Sequence, residues 1–131
     1  MSKIFISLCT VLAAALVPLE AASFETDTFQ TSAGDLKISF IGHGTLLFSY
    51  GGKVIHLDPV SEYTDYDRMP KADLILLTHE HHDHMDLKAL DKIRTEKTRI
   101  IMAEACEGKV QGGTVMKNGD GMTVDGIRIE A

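Results

Sequence analysis

The sequence predicts a fold of the α/β class with mixed sheets, and three patterns support this prediction. Residues 36–41 alternate apolar and polar side chains, as a half-buried strand does. A tight turn at residues 42–45 and a Gly-Gly hairpin turn at residues 51–52 then join the next strands. The apolar run at residues 74–77 is followed by a helical pattern and another strand, an alternation that indicates parallel pairing.

The predicted elements follow one another closely along the chain. Strands are predicted over residues 36–41, 45–50, 53–57, 74–77, 98–103, 114–116, 122–124 and 127–129. A short helical turn is predicted at residues 106–108. Residues 61–72 are predicted to form a loop that either rims a site or crosses the surface. A helix is predicted from Leu87 to about Thr95, with Asp86 as its N-cap. We expect Leu87, Leu90 and Ile93 to form its buried stripe.

Residues 1–22 have the organisation of a secretory signal peptide. Lys3 supplies the positive charge, residues 4–17 form the apolar centre, and small residues follow at the cleavage site. The apolar stretch is too short for a membrane span, and Cys9 follows Leu8 where lipoprotein processing requires a small residue. We therefore predict a secreted or periplasmic protein without a stable membrane anchor. The alternative is an uncleaved, buried N-terminal helix.

The chain left after signal removal is mildly acidic and has one cysteine. Its net charge stays at −6, because one base, Lys3, and one acid, Glu20, leave together. This acidic balance argues against nucleic acid as a partner. Cys106 cannot form an intramolecular disulfide, and we interpret it as a small buried side chain, with metal ligation as the alternative.

The chemistry of the chain is concentrated in residues 78–86, which contain four histidines and three carboxylates directly after the apolar run. Imidazole nitrogens and carboxylate oxygens bind zinc and similar divalent ions. His79 and His81 can converge on one ion from an extended or turning backbone, whereas on a helix they would point about 200° apart. Asp83 and His84 follow immediately and could serve a second, adjacent ion.

Two other interpretations of this segment fail on the residues themselves. A helical H-E-x-x-H zinc site would begin at His79-Glu80, but it would need a histidine where the chain has Asp83. A plain histidine-rich tract is disfavoured because Glu80, Asp83 and Asp86 interrupt the run.

The pattern His79-x-His81-x-Asp83-His84 resembles the H-x-H-x-D-H signature of the metallo-β-lactamase superfamily. The resemblance implies that His79 and His81 bind a first metal ion, and that Asp83 and His84 bind a second. It implies one or two Zn²⁺ ions, with Mn²⁺ or Fe²⁺ as alternatives, and hydrolysis of a small-molecule substrate by a metal-activated water that Asp83 could orient or deprotonate. It does not choose between ester, lactone and phosphodiester-type bonds. His82 occupies a variable position, and we interpret it as an exposed loop residue.

A wider pattern resembles one branch of the same superfamily, which includes metal-dependent hydrolases and ascorbate-phosphate lactonase-like proteins. It consists of the Gly-His turn, the hairpin, an Asp-Pro step and Leu-Leu-Thr-His, and it spans about residues 36–102. The resemblance implies that His43 faces the substrate and that Asp58 supports the ligand loop. The residues alone leave His43 equally an exposed turn residue and Asp58 an Asx-type turn initiator. His56, within a strand, is interpreted as structural.

Further ligands that the superfamily takes from a second half of its sandwich cannot be assigned, since no histidine follows His84. We therefore predict that residues 35–131 form the N-terminal half of a metallo-β-lactamase αββα sandwich, preceded by an exposed polar lead-in at residues 23–34. We expect the half-domain to be inactive alone and to self-associate through an exposed sheet face. The alternative function is a non-catalytic metal-binding or degenerate half-domain. A histidine-rich metal carrier is disfavoured, because the potential ligands are clustered.

Overall fold

The computed structural model describes residues 23–131, so the predicted signal peptide lies outside the described residues. In chain order the elements are β1 (Glu25–Thr31), β2 (Gly34–Gly42), β3 (Thr45–Tyr50), β4 (Lys53–Leu57), β5 (Leu74–Leu77), α1 (Leu87–Ile93), β6 (Arg99–Ala103), a 3-10 turn (Glu104–Cys106), β7 (Thr114–Met116), β8 (Gly121–Val124) and β9 (Ile127–Glu130). Within this part of the chain, no helix combines the length and apolar character needed to cross a membrane.

Strands β1 to β7 form one sheet in which the spatial order follows the chain order. β1 to β4 are antiparallel neighbours joined by tight turns, whereas β4 to β7 run parallel. Parallel neighbours need crossover connections, and α1 supplies the one between β5 and β6. The carboxyl ends of the parallel strands therefore meet at one edge of the sheet. The parallel pairing of β5 with β6 confirms the prediction made from the strand–helix–strand alternation.

The two faces of this sheet are covered differently. On one face, α1 packs Leu90 and Ile93 against Ile75 of β5, and all three side chains are buried. On the other face, the β8–β9 hairpin forms a second sheet whose Val124 packs with Ile101. This arrangement of helix, sheet and second sheet confirms the predicted α/β class and matches part of an αββα sandwich.

Residues 23–34 were predicted as an exposed polar lead-in, and the structure adds a strand there, β1, that the sequence did not predict. It pairs antiparallel with β2 from Glu25 opposite Phe40 to Thr31 opposite Gly34. Every side chain of β1 is exposed, as expected at the edge of a sheet, so burial imposes no apolar alternation on this strand.

Two other details of the predicted elements differ from the structure. Leu87 is exposed rather than buried, and Ala89 joins Leu90 and Ile93 in the core. The helix ends at Ile93 instead of near Thr95, because the next residue already has an extended backbone. The predicted N-cap is present: the Asp86 carboxylate accepts a hydrogen bond from the backbone N–H of Lys88 at 2.8 Å.

His56 is buried in the sheet, as its structural interpretation predicted. Its side chain is 1% exposed, and its Nε2 lies 3.0 Å from the carbonyl oxygen of Pro70. Burial lowers the pKa of His56 to about 4, because the charged imidazolium would lose its hydration.

Candidate metal centre

Three loops meet where the central strands end. Asp58 follows β4 and Thr78 follows β5, and these two strands are parallel neighbours. The backbone N–H of Asp58 donates to the carbonyl of Leu76 at 3.0 Å, which continues the pairing past the strand end. The turn between β2 and β3 reaches the same edge, because the Thr45 hydroxyl donates to the carbonyl of Asp58 at 2.6 Å. Residues distant in sequence are thus held in one place.

Asp58 forms the buried floor of this edge. It is 2% exposed, and its φ of 45° places it in the left-handed region that aspartate tolerates better than most residues. Oδ1 accepts from the backbone N–H of Thr78 at 2.8 Å, and Oδ2 accepts from the Thr78 hydroxyl at 2.5 Å. Oδ2 also lies 2.8 Å from Nδ1 of His84. A buried carboxylate with this many donors is a fixed positioning group.

These contacts determine which ring nitrogens are free. A carboxylate can only accept, so Nδ1 of His84 donates to Asp58 and Nε2 keeps its lone pair. The Thr78 hydroxyl donates its single proton to Asp58, so towards His79 it can only accept. Nδ1 of His79, 3.0 Å away, therefore donates to that hydroxyl. Both histidines therefore present Nε2 as a potential metal ligand, with the other ring nitrogen fixed by the protein.

The imidazole rings converge. The ring centroids of His79 and His84 are 3.9 Å apart, and those of His79 and His81 are 4.7 Å apart. His43 joins them from the β2–β3 turn, with its centroid 5.1 Å from that of His84. Gly44 makes this approach possible, since a Cβ at that position would lie 2.8 Å from Cε1 of His84.

The carboxylate of Asp83 lies among these rings. Its Oδ2 is 3.3 Å from Nε2 of His43 and 3.8 Å from Nε2 of His84. The hydrogen bond from its own backbone N–H lowers the pKa of Asp83, and the neighbouring His84, His82 and His43 lower it further. Asp83 is therefore ionised at neutral pH and available as a ligand or proton acceptor.

Three groups of side chains bring one potential ligand atom each to within 4.8 Å of one another. They are His79, His81 and Asp83; His43, Asp83 and His84; and Asp58, His79 and His84. The first two groups share only Asp83, whose carboxylate has two oxygens, so each group can hold its own metal ion at the same time. In the third group, both oxygens of Asp58 already accept hydrogen bonds, so we regard Asp58 as an orienting residue. Sets of three nitrogen and oxygen ligands suit a zinc ion that keeps one open position.

The structure thus brings together the six residues that the sequence assigned to the site, which are His43, Asp58, His79, His81, Asp83 and His84. His79 and His81 acquire a common carboxylate, and the pair Asp83–His84 acquires His43 as a third donor. Thr78 was not predicted as a site residue, and its only signal was its position directly before the first histidine. Tyr63 was predicted only as part of a loop that either rims a site or crosses the surface, and no local pattern indicated its packing against the turn at Gly42.

The remaining candidates lie outside the donor groups. His82 is exposed, as interpreted. Glu80 lies with its Oε1 3.7 Å from Nζ of Lys109. Cys106 is fully buried in the core against α1, and burial raises the pKa of its thiol. Cys106 is therefore a small core side chain, which is how the sequence was interpreted.

Comparison with known proteins identifies the family. A model of the beta-lactamase superfamily domain matches residues 37–131. This chain belongs to the beta-lactamase superfamily. The match confirms the resemblance read from the histidine motif.

Individual relatives indicate which group within the superfamily this chain is similar to. A UPF0173 metal-dependent hydrolase from Shouchella clausii is 40% identical over 74 residues, which cover 53% of this chain and 32% of the relative. A UPF0173 metal-dependent hydrolase from Flavobacterium johnsoniae is 41% identical over 64 residues, which cover 44% of this chain and 28% of the relative. These relatives support a metal-dependent hydrolase family.

A solved structure from Parabacteroides distasonis, described provisionally as a metal-dependent hydrolase, superimposes with a TM-score of 0.79 at 46% identity. The superposition covers 82% of this chain and 50% of that one. The chain therefore spans half or less of the length of these relatives.

Proposed function

We propose that this chain supplies one side of the metal centre of a metal-dependent hydrolase. The observation that carries the proposal is the convergence of two groups of three side chains at one edge of the sheet, each with its ligand atoms within 4.8 Å of one another. The groups are His79, His81 and Asp83, and His43, Asp83 and His84. The names of the relatives support a metal-dependent reaction. Zn²⁺ suits the mixture of imidazole and carboxylate donors, while Mn²⁺ and Fe²⁺ are alternatives.

The side chains divide into two sets under this proposal. His79 and His81, with Asp83, would hold one ion, and Asp83, His84 and His43 would hold a second. A bound divalent ion lowers the pKa of a coordinated water towards neutrality and polarises the bond to be cleaved.

Asp83 is the residue we assign to proton transfer. Its ionised carboxylate is about one-third exposed, and it lies among the ring nitrogens where a reacting water would be held. It can therefore orient that water and accept its proton. Asp58 keeps His84 in the tautomer that leaves Nε2 unprotonated. The bond cleaved would be an ester, lactone or phosphodiester-type bond of a small molecule.

Zinc titration of the full chain by isothermal calorimetry tests the metal centre. We expect zinc binding in the native chain, and at least about tenfold weaker binding after His79→Ala or His81→Ala, because each removes one of three ligands. His82→Ala is the matched control, since His82 is exposed beside them and belongs to neither set. Unchanged affinity in both ligand variants would refute the assignment.

The alternative is a non-catalytic metal-binding half-domain. Two observations favour this alternative. All the potential metal ligands lie at or before His84 in the sequence. The relatives are two to three times longer than the part that this chain matches. Mixing the zinc-loaded chain with the half of the Parabacteroides relative that the superposition does not cover discriminates between the two. Zinc-dependent ester or lactone hydrolysis that occurs only in the mixture, and in neither part by itself, supports the enzyme. Zinc binding without hydrolysis in the mixture supports the alternative.

We also propose that the protein is exported to the periplasm or the medium. Residues 1–22 carry the positive, apolar and small-residue segments of a signal peptide. N-terminal sequencing of protein recovered from the periplasm should begin near Ser23. A retained Met1 would contradict export by cleavage.

A further inference from the structure

A cleft of about 470 Å³ lies between the loop of residues 61–72, strand β3 and Phe24, which precedes β1. Its walls are mainly apolar and include Phe24, Leu47, Tyr63 and Met69. Leu47 pairs with His56 in the neighbouring strand, so the cleft lies on the same sheet face as His56. The volume lies within the range of clefts that bind small molecules.

Tyr63 connects this cleft to the metal centre. Its ring packs on Gly42, where a Cβ would come within 3.0 Å of the ring atoms, and its centroid is 6.3 Å from that of His43. Nε2 of His43 in turn lies 3.3 Å from Oδ2 of Asp83. Tyr63 therefore borders both the cleft and the His43 side of the metal centre.

The loop that forms the cleft wall is fixed by buried polar contacts. Nε2 of His56 lies 3.0 Å from the Pro70 carbonyl oxygen, and the backbone N–H of Val60 donates to the Tyr66 hydroxyl at 3.2 Å. Tyr66 is 3% exposed, and burial raises its pKa to about 12, so its hydroxyl stays neutral. A wall that is already ordered loses little conformational entropy when a ligand binds.

We infer that this cleft receives an apolar, ring-bearing group of the substrate whose scissile bond is held at the histidine cluster. The inference rests on the proposed function, and it names the class of substituent next to the cleaved bond. The aromatic rings of Phe24 and Tyr63 offer the faces and edges that aromatic groups pack against. Asp65 and Arg68 also line the cleft, and their opposite formal charges cancel, so the apolar area is what the lining offers a ligand.

The probe that tests this is 3-phenylpropionate, compared with propionate, on the zinc-loaded full chain. Both carry the same carboxylate, so the ratio of their dissociation constants measures the contribution of the ring. We expect 3-phenylpropionate to bind at least about tenfold more tightly, as burial of most of an aromatic ring predicts. In NMR spectra it should shift the methyl signal of Met69 and leave that of Met116, which belongs to the other core cluster, unchanged.

Variants of the cleft residues test whether the phenyl group of the probe binds in the cleft. Tyr63→Ala and Leu47→Asp should each reduce the preference to less than about threefold, because they remove or charge a wall of the cleft. Phe40→Ala is the matched control, since Phe40 is an exposed aromatic residue on the opposite sheet face. The dispersed methyl signal of Met116 shows whether Leu47→Asp is folded. If that signal is lost, Met69→Gln is used in place of Leu47→Asp.

Three results would overturn the inference: equal affinities for the two probes, a preference lost in Phe40→Ala, or a preference retained in Tyr63→Ala together with Leu47→Asp or its replacement. If zinc fails to bind, the proposed function fails. The cleft is then tested by the same pair of probes on the metal-free chain, by the shift of the Met69 signal. Failure of the metal centre and failure of the cleft are thus distinguishable.

Discussion

Asp58 shows how much the site depends on a residue that need not touch a metal. It is buried, it joins the ends of β4 and β5 through Thr78, and it fixes the tautomer of His84. The sequence suggested a supporting role only through family resemblance, since an aspartate before proline is also an ordinary turn residue. The ligand types were predictable from local chemistry. The contacts of Asp58 were not, because its partners lie 20 and 26 residues away.

Replacing Asp58 by Ala should therefore impair both stability and metal binding. The change leaves the Thr78 N–H and the His84 Nδ1–H without their acceptor, which we expect to lower the free energy of unfolding by about 2–4 kcal/mol. Zinc affinity should fall by about 10- to 100-fold. Urea unfolding and zinc titration measure the two effects. Asp91→Ala, at an exposed helix position, should change neither.

His56 makes stability depend on pH. Its folded pKa of about 4 is below the ordinary histidine value of 6.5, so the unfolded chain binds more protons between these two pH values. The free energy of unfolding should therefore fall as the pH is lowered through this window, by up to about 3 kcal/mol from this group, and level off below it.

Urea unfolding at a series of pH values measures this slope. In His56→Gln, whose side chain cannot titrate, the contribution should disappear, while His82→Gln at an exposed position should keep it. Equal slopes in the native chain and His56→Gln would show that another group is responsible.

At the scale of elements, the short helix α1 depends on its cap. Asp86 accepts from the backbone N–H of Lys88 at 2.8 Å with one oxygen and from that of Ser61 at 2.9 Å with the other. Burial raises the pKa of Asp86, but the hydrogen bonds from Ser61, Lys88 and Ala89 outweigh that effect and lower it overall. One side chain therefore ties the start of the helix to the loop that follows β4.

Asp86→Ala should lower the free energy of unfolding by about 1–2 kcal/mol, because a helix cap and a loop contact are lost together. Thermal unfolding followed by circular dichroism measures the effect. Asp86→Asn keeps an acceptor and should recover most of the loss, which distinguishes capping from any general effect of the position.

The elements were predictable where burial imposes a pattern. β3, β4 and β5 coincide with their predicted ranges, because each carries apolar side chains fixed by a buried face. β1 was missed because an exposed edge strand needs no such pattern. Leu87 was misassigned because three apolar residues at helical spacing do not indicate where the covered face ends.

At the scale of the molecule, one sheet face is covered only in part. The register places Phe29, Ile38, Phe40 and Leu46 on the face that β8–β9 covers further along the sheet. Phe29 is 51% exposed and Phe40 is 44% exposed. The sequence could not have located this surface, since hairpin signals around β8 and β9 do not specify which strands they cover. We propose that copies of the chain associate through this face.

Phe40→Asp should therefore weaken self-association at high protein concentration, because a charge on an apolar contact surface is costly to bury. Sedimentation velocity across a concentration series measures it. Leu87→Asp is the control, as Leu87 is also 51% exposed but lies on the helix, away from that face. A concentration-independent monomer in the native chain would contradict the proposal.

The agreement between chain order and strand order from β1 to β7 bears on how this polypeptide acquires its shape. Each new strand finds its hydrogen-bonding neighbour in the segment synthesised just before it, so pairing can proceed vectorially, in the direction of translation. We expect the antiparallel meander to form first and to serve as a template. The histidine loop would then close only after the fifth strand is laid against the fourth.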